Sequence, residues 1–241
     1  MPDLQFDVES VEAVKFAAAP TLAFKLLIAN RVAGEPIHTI VLRAQIMIEP
    51  GRRTYTRGDQ ARLSDLFGEP DRWGQTLRPM LWAHAGVVVP AFTGIVVIDL
   101  PVPCTFDFNV AATKYFGGVE AGDVPLNFLF SGTVFYEGPS GALQVSQISW
   151  NSEAIYRLPV ATWNQMMDFY YPNSAWLCLR RDVFERLYHH KLRRGFPTWE
   201  QAVESILPEE DEFGHGNGNG NGNEEAGDGQ SPKPDGQERA N

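Results

Sequence analysis

Residues 36–51 read PIHTIVLRAQIMIEPG, and this stretch decides the fold of the chain. Every second position in its centre is apolar: Ile40, Leu42, Ala44, Ile46 and Ile48. Because successive side chains of a strand point to opposite faces, this alternation predicts a long strand with one buried face. Pro50 and Gly51 then end the strand, since both residues favour turns.

The same alternation recurs on both sides of this strand. It is found at residues 4–8, 22–28, 106–110, 126–136 and 143–150, and apolar residues without strict alternation predict further strands at residues 87–89, 95–98 and 155–158. Several of the intervening segments contain glycine and proline, which are typical of turns between strands. Many short strands with this spacing indicate two packed sheets. We therefore predict a mainly β protein with added α-helices, built on a β-sandwich-like body.

Two segments have the spacing of helices instead. Residues 59–84 predict a short helical insertion, with Asp59 as its N-cap and Pro79 as an interruption. Residues 161–207 predict a helical C-terminal cap. Within this cap, Asp182 is expected to begin a helix that ends at Gly195. The apolar residues of that helix are expected to face inward, namely Phe184, Leu187, Tyr188 and Leu192.

The chain divides into a body and a tail of very different composition. Residues 1–208 contain the periodic apolar positions, and we predict that they form a single β-sandwich-like domain. From residue 208 onward there are nine acidic and two basic residues, with an alternation of Gly and Asn. Such a segment cannot bury enough apolar area to offset the entropy lost on ordering. Residues 209–241 are therefore predicted to be a disordered acidic tail.

Charge and the N-terminal sequence restrict the function classes. The formal net charge of −10 belongs mostly to the tail, so the body is nearly neutral. A nucleic-acid-binding domain carries clustered positive charge, and we expect no nucleic-acid partner. The N-terminus lacks the basic start and apolar core of a signal peptide, and no stretch has the length of a membrane span. These features predict a cytoplasmic protein whose Cys104 and Cys178 are reduced.

The chain carries no familiar catalytic or cofactor motif. It has no phosphate-binding loop, dinucleotide fingerprint or serine-nucleophile motif. Cys104 lies between Asp99 and Asp107, and acidic neighbours disfavour the thiolate that a catalytic cysteine needs. His189 and His190 are adjacent, so on a helix they point about 100° apart and do not face one ion. We predict no catalytic residue, metal site or cofactor, and we favour a protein without enzymatic activity.

Two neighbouring segments are candidates for a protein-binding surface. Three aromatic residues follow one another at positions 169–171, and no helix hides three successive large side chains on one face. Aromatic residues are enriched in the centres of protein interfaces. A basic cluster follows at residues 180–194, and it forms either a solvated helix face or a docking surface for an acidic partner. The predicted partner-binding residues, which we expect to share one face, are Phe169, Tyr170, Tyr171, Arg193 and Arg194.

Several strings of the body resemble a bacterial protein family that is a domain of unknown function. They are Ile48–Arg53, Leu66–Gly68, Ile98–Phe108 with Lys114–Phe116, Pro125–Tyr136 and Ile148–Met167. The family is found in actinobacteria and some other soil bacteria, and its genes accompany those of high-affinity nickel–iron hydrogenases. The resemblance implies an accessory or assembly factor for a hydrogenase. Nickel delivery would need a His-rich segment or paired cysteines, and the sequence has neither.

Two hypotheses of function follow. The first is a cytosolic, non-enzymatic interaction protein that serves nickel–iron hydrogenase expression or assembly and binds a protein partner such as a hydrogenase component. The alternative is a ligand-binding β-sandwich or an enzyme with a pocket near Pro101–Cys104 and Trp73/Trp82. A compact pocket with converging acids and His84 would favour the alternative. A flat patch of aromatic and arginine side chains would favour the interaction protein.

Overall fold

The computed structural model describes residues 1–105, 110–174, 177 and 179–207. Contacts divide the chain into two compact units, residues 1–176 and residues 177–241. The predicted acidic tail, residues 209–241, lies outside the described residues. The prediction of a single domain over residues 1–208 stays a prediction.

The strands of the first unit form two antiparallel sheets. In chain order they are β1 (Leu4–Ala13), β2 (Thr21–Asn30), β3 (Pro36–Ile48), β4 (Met80–Val89), β5 (Phe92–Thr93), β6 (Ile95–Pro103), β7 (Asp123–Glu137), β8 (Leu143–Gln147) and β9 (Glu153–Pro159). One sheet has the order β1-β2-β6 and the other has the order β4-β3-β7-β8. In the second sheet β5 also pairs with β3, and β9 pairs with β7. The prediction of a mainly β protein is confirmed.

The two sheets face each other across one hydrophobic core. Phe6 of β1 stacks on Phe130 of β7, with ring centroids 4.4 Å apart. Phe24 of β2 meets Phe128 of β7 edge to face, with centroids 5.1 Å apart. Each such aromatic pair contributes about 0.5–1.5 kcal/mol beyond the burial of its surface. These contacts join the inner faces of the sheets, and they confirm the β-sandwich-like body.

β3 lies between β4 and β7, and its alternating apolar residues are buried as predicted. On β7, Gly132 stands opposite Leu42. A Cβ atom at Gly132 would lie 2.1 Å from the carbonyl oxygen of Val41, and the glycine has a φ of 147°. Only glycine fits this close approach between the two central strands, because any side chain would push β7 away from β3.

Four α-helices of the first unit are described, α1 (Arg57–Phe67), α2 (Trp73–Thr76), α3 (Val110–Gly118) and α4 (Val160–Tyr170), together with two short 3-10 helices at Pro50–Arg52 and Pro70–Arg72. The helical insertion predicted over residues 59–84 ends at Thr76, because the residues from Met80 onward pair with β3 as β4. Pro79 lies at this transition and cannot donate the backbone hydrogen bond that would continue a helix. The predicted end at residue 84 was therefore wrong.

α1 begins one turn earlier than predicted, with Thr56 instead of Asp59 as its N-cap. The Thr56 hydroxyl accepts a hydrogen bond from the Asp59 amide, and the Asp59 carboxylate accepts one from the Thr56 amide, both at 3.0 Å. This reciprocal capping box satisfies two amides that have no partner within the helix. Asp59 is thus the third residue of the helix.

α3 was not predicted from the sequence. A strand was expected over residues 106–110. Residues 106–109 lie outside the described part of the chain, and Val110 is the first residue of α3. The sequence of α3 contains β-branched residues and two glycines, which have low helix propensity. Tyr115 and Phe116 are fully buried in the core, so packing stabilises this helix against its local preference.

The second unit contains α5 (Arg181–Arg194) and α6 (Trp199–Glu204), which agrees with the predicted helical C-terminal region. α5 has Arg180 as its N-cap, so the prediction that Asp182 caps it was wrong. The left-handed Gly195, with a φ of 69°, ends the helix as predicted. Of the residues expected to face inward, Phe184 and Tyr188 pack against Trp199 of α6, but none of the α5 residues, all of which the structure describes, is buried.

Candidate functional site

The aromatic residues singled out by the sequence lie at the C-terminal end of α4. The helical spacing of α4 buries Trp163 and Met166 in the core. The same spacing places Phe169 toward solvent, where 44% of it is exposed. Because α4 is anchored through its buried face, Phe169 is presented on a fixed helix.

Phe16 lies beside Phe169, in the loop between β1 and β2. The two rings meet edge to face, with centroids 5.4 Å apart and an angle of 82° between their planes. Phe16 is 88% exposed and has a φ of 62°. A bulky residue in the left-handed region is an outlier that costs about 1–3 kcal/mol. Such strain around an exposed aromatic side chain is typical of functional loops.

Tyr170 holds this loop in place. Its hydroxyl donates a hydrogen bond to the Val14 carbonyl and accepts one from the Ala17 amide, both at 2.8 Å. The two bonded residues flank Phe16 in sequence. The tyrosine therefore fixes the turn that carries Phe16, and it ties the β1–β2 loop to the end of α4.

Tyr171 completes the set of consecutive aromatic residues. It is the C-cap of α4, it is half-buried, and its amide donates to the Met167 carbonyl at 2.7 Å. We use the name aromatic patch for Phe16, Phe169, Tyr170 and Tyr171. In this patch Phe16 and Phe169 are exposed, and Tyr170 holds the loop that carries Phe16.

Arg193 and Arg194 belong to the second unit. Both are exposed in the last turn of α5, directly before Gly195. Cations are favoured at this end of a helix because the helix dipole is negative there. The expectation that these arginines share a face with the aromatic patch stays a prediction.

A buried polar cluster connects α1 to the loop after α3. Asp59 is 2% exposed, and its carboxylate accepts hydrogen bonds from the amides of Thr56 and Glu120 and from the Arg62 guanidinium. Burial favours the neutral acid, but these amides, the Thr56 hydroxyl and the nearby Arg53 guanidinium outweigh it and lower the pKa of Asp59. Asp59 therefore acts as a structural anion.

Two tyrosines extend this cluster toward the core. The Tyr55 hydroxyl donates to the Pro50 carbonyl at 2.8 Å and lies 2.8 Å from the Tyr115 hydroxyl. Because the Tyr55 hydroxyl donates its hydrogen to the Pro50 carbonyl, the Tyr115 hydroxyl donates to the Tyr55 oxygen. Burial raises the pKa of both phenols above the ordinary value of 10, so both stay neutral at physiological pH. Neither tyrosine is available as a base.

The predicted alternative site corresponds in part to a real cavity. A cavity of about 360 Å³ is lined by residues that include Trp82, His84, Pro103 and Cys104. Trp73 does not line this cavity; its indole N–H donates to the Gly68 carbonyl at 2.8 Å. Within the described ranges, no carboxylate lines the cavity. The cavity thus has His84 but lacks the converging acids that acid–base catalysis would use.

Cys104 is a poor nucleophile in this setting. Its thiol is buried and lies 3.2 Å from the carbonyl oxygen of Val102, to which it donates. Burial raises the pKa of the Cys104 thiol to about 12, although a backbone hydrogen bond from Leu22 acts in the opposite direction. At neutral pH the residue is therefore a thiol, whereas catalysis needs the thiolate.

Two further properties concern metal ions and membranes. Across the described part of the chain, no group of three or more His, Cys, Asp or Glu side chains is placed to hold a metal ion. The prediction of no metal and no cofactor stays a prediction. None of the helices within the described ranges combines the length and apolar character needed to cross a bilayer.

A comparison with protein-family models matches residues 1–214 to DUF6084, a family of unknown function. The chain belongs to the DUF6084 family. This confirms the resemblance to a domain of unknown function, and the match spans the whole body. The comparisons of this DUF6084 protein with curated proteins and with solved structures return no match.

Sequence reasoning identified three of the four residues of the aromatic patch of this DUF6084 protein. Phe169, Tyr170 and Tyr171 stand out because three large aromatic residues are consecutive. Phe16 was missed, since it is a single aromatic residue in the loop sequence AVKFAAAP. The only signal was a large apolar side chain within a short connection between two strands, where polar residues are usual.

Proposed function

We propose that this DUF6084 protein is a non-catalytic interaction factor whose protein partner docks on the aromatic patch. The observation that carries the proposal is the presentation of Phe16. This side chain is 88% exposed on a strained backbone, meets Phe169 edge to face, and lies in a loop held by the Tyr170 hydroxyl. A fold that needed only stability would not keep a phenylalanine in this position.

The energetics of the patch suit a binding site. Moving a phenylalanine side chain from water into an interface contributes about 1.5–3 kcal/mol. Because Phe16 and Phe169 are already positioned, little conformational entropy is lost when a partner covers them. Two exposed, ordered aromatic side chains in contact therefore form the centre of an interface.

We further propose that the partner is a component of the nickel–iron hydrogenase system. The support for this step is the resemblance described above, which links the family to hydrogenase gene clusters. Arg193 and Arg194 remain part of the proposal as residues that attract an acidic partner. A role in direct nickel delivery is not part of it.

The test is co-purification from the organism that carries the gene. Tagged full-length chain is expected to retain hydrogenase components, identified by mass spectrometry. Phe16→Ala and Phe169→Ala should each lower the recovered amount by about tenfold or more, since loss of an interface anchor costs about 2 kcal/mol. Circular dichroism should show that both variants remain folded.

Trp150→Ala is the matched control. Trp150 is 95% exposed in the loop between β8 and β9, so its removal deletes an equally accessible aromatic side chain outside the patch. Recovery of the partner should be unchanged in this variant. Equal recovery by wild type and both patch variants would contradict docking on the patch. A patch-dependent partner unrelated to hydrogenases would contradict the hydrogenase assignment alone.

A second candidate function, binding of a small ligand, is supported by the cavity beside Trp82 and Cys104. Its volume of about 360 Å³ lies within the range of small-molecule sites. A small molecule retained by the purified protein in native mass spectrometry would favour this function.

A further inference from the structure

The second unit carries an apolar groove that its own helices leave open. α6 packs on one side of α5, where Trp199 lies against Phe184 and Tyr188 with ring centroids 5.3 and 6.1 Å away. A different side of α5 borders a groove of about 750 Å³. Its apolar lining consists of Leu177, Leu179, Val183, Leu187, Val203 and Ile206.

This lining stays accessible to solvent. Leu177 and Ile206 are more than half exposed, and Val183, Leu187 and Val203 are only half-buried. Exposed apolar side chains that converge on one concave surface are uncommon in monomeric proteins unless a partner covers them. The groove therefore has the character of a docking site.

The charges around the groove select the type of partner. Arg186 and Arg193 line it together with His189 and His190. Among the described residues of the lining there is no carboxylate. α5 itself carries five basic and two acidic residues. A partner that covers the groove would thus bring apolar side chains to its floor and negative charge to its rim.

We propose that the groove binds an amphipathic helix with an acidic polar face, supplied by a protein partner. Apolar side chains spaced at three and four positions along such a helix would fill the groove, as in other helix-in-groove complexes. Glutamate or aspartate side chains on its flanks would pair with Arg186 and Arg193. The inference rests on the proposed function, and it names the chemistry of the partner segment.

The dimensions of α5 set the length of the bound helix. With 14 residues, α5 spans about 21 Å at a rise of 1.5 Å per residue. A partner helix of about four turns would lie along this length. A short synthetic peptide is therefore long enough to make all the contacts along α5.

Fluorescence anisotropy with the full-length chain tests the proposal. The probe is a labelled helical peptide of about 18 residues with leucine on one face and glutamate on the other, and the control peptide has lysine for each glutamate. We expect saturable binding of the acidic peptide, weakened by added salt, and no saturable binding of the basic peptide.

Variants locate the binding site. Arg193→Glu, Arg186→Glu and Val183→Asp should each weaken the binding of the acidic peptide by about tenfold, since each introduces negative charge into the groove. Arg181→Glu is the matched control, because it reverses the charge of an exposed arginine on the same helix that does not line the groove. Circular dichroism confirms that each variant is folded.

Three outcomes would overturn the proposal. The first is absence of saturable binding, or equal binding of the acidic and basic peptides. The second is an equal loss of affinity in Arg193→Glu and Arg181→Glu, which would indicate unspecific charge attraction. The third is sedimentation of the chain with phosphatidylserine vesicles without peptide binding, which would assign the groove to a membrane surface. If the peptide fails while Phe16→Ala and Phe169→Ala still lose the partner, the groove proposal falls and the proposed function stands.

Discussion

Asp59 joins two segments that are distant in the sequence. Its carboxylate accepts hydrogen bonds from the Thr56 amide at the start of α1 and from the Glu120 amide after α3. Burial favours the neutral acid, but these amides, the Thr56 hydroxyl and the Arg53 guanidinium outweigh it, so the pKa of Asp59 lies below its ordinary value of 3.8. The ionised Asp59 side chain therefore holds the start of α1 next to the segment that follows α3.

We predict that Asp59→Asn lowers the free energy of unfolding by about 1–3 kcal/mol at neutral pH, because a buried set of donors loses its charged acceptor. The folded-state pKa is lowered, so the stabilisation is fully present above the unfolded-state pKa of about 3.9. It is lost as the pH falls through the lower, folded-state value. Urea titrations at several pH values measure this difference.

Asp65→Asn provides the control for Asp59. Asp65 lies on the same helix, but it is exposed and pairs with Lys114 on the surface. Its removal should change the stability by less than about 1 kcal/mol. A difference between wild type and Asp59→Asn that stayed constant from neutral pH down to about pH 2 would contradict the assigned role of the carboxylate.

The β1–β2 loop and α4 depend on each other through Tyr170. We predict that Tyr170→Phe lowers the free energy of unfolding by about 1–2 kcal/mol, since two partly buried hydrogen bonds are lost. The stronger effect should be local: the Ala17 amide loses its acceptor and should exchange its hydrogen faster. Hydrogen exchange followed by mass spectrometry measures this change in the peptide that contains Phe16.

Tyr188→Phe is the corresponding control, because it removes the hydroxyl of a half-exposed tyrosine in α5. Exchange in the β1–β2 loop should be unaffected by it. If Tyr170→Phe left the exchange of the loop at the wild-type rate, Tyr170 would not be what holds Phe16 in place.

An element was predicted correctly where its own sequence pattern determines its structure. It was predicted wrongly where contacts with distant segments determine its structure. β3 was predicted well because its alternation follows directly from the two faces of a strand. α3 was missed because its sequence VAATKYFGG favours a helix only when Tyr115 and Phe116 are buried by other segments. The predicted helical insertion was too long for the same reason. Residues 80–84 form a strand because they pair with β3, which lies in another part of the sequence.

The candidate surfaces show a similar limit. Phe169 was found through its own neighbours in the sequence, and Arg193 through the charge of its helix. The conformation of Phe16 depends on a hydrogen bond between Ala17 and Tyr170, which are 153 positions apart. No local pattern in the sequence contains that information.

Each of the two units presents a surface suited to protein binding. The first unit holds the aromatic patch on a rigid sandwich, and the second unit has an apolar groove with a basic rim. In contrast, four titratable side chains of the first unit have structural roles: Asp59 as an anion, and Cys104, Tyr55 and Tyr115 as neutral groups. The distribution of exposed aromatic residues and satisfied polar residues favours an interaction protein.

The most direct test of the central claim is photo-crosslinking in the native organism. A photoreactive phenylalanine analogue replaces Phe169 in one variant and Trp150 in another, so that both probes are exposed but only one lies in the patch. The account predicts a specific crosslinked partner at position 169 and none at position 150. Absence of a crosslink at position 169, or the same products at both positions, would contradict docking on the aromatic patch.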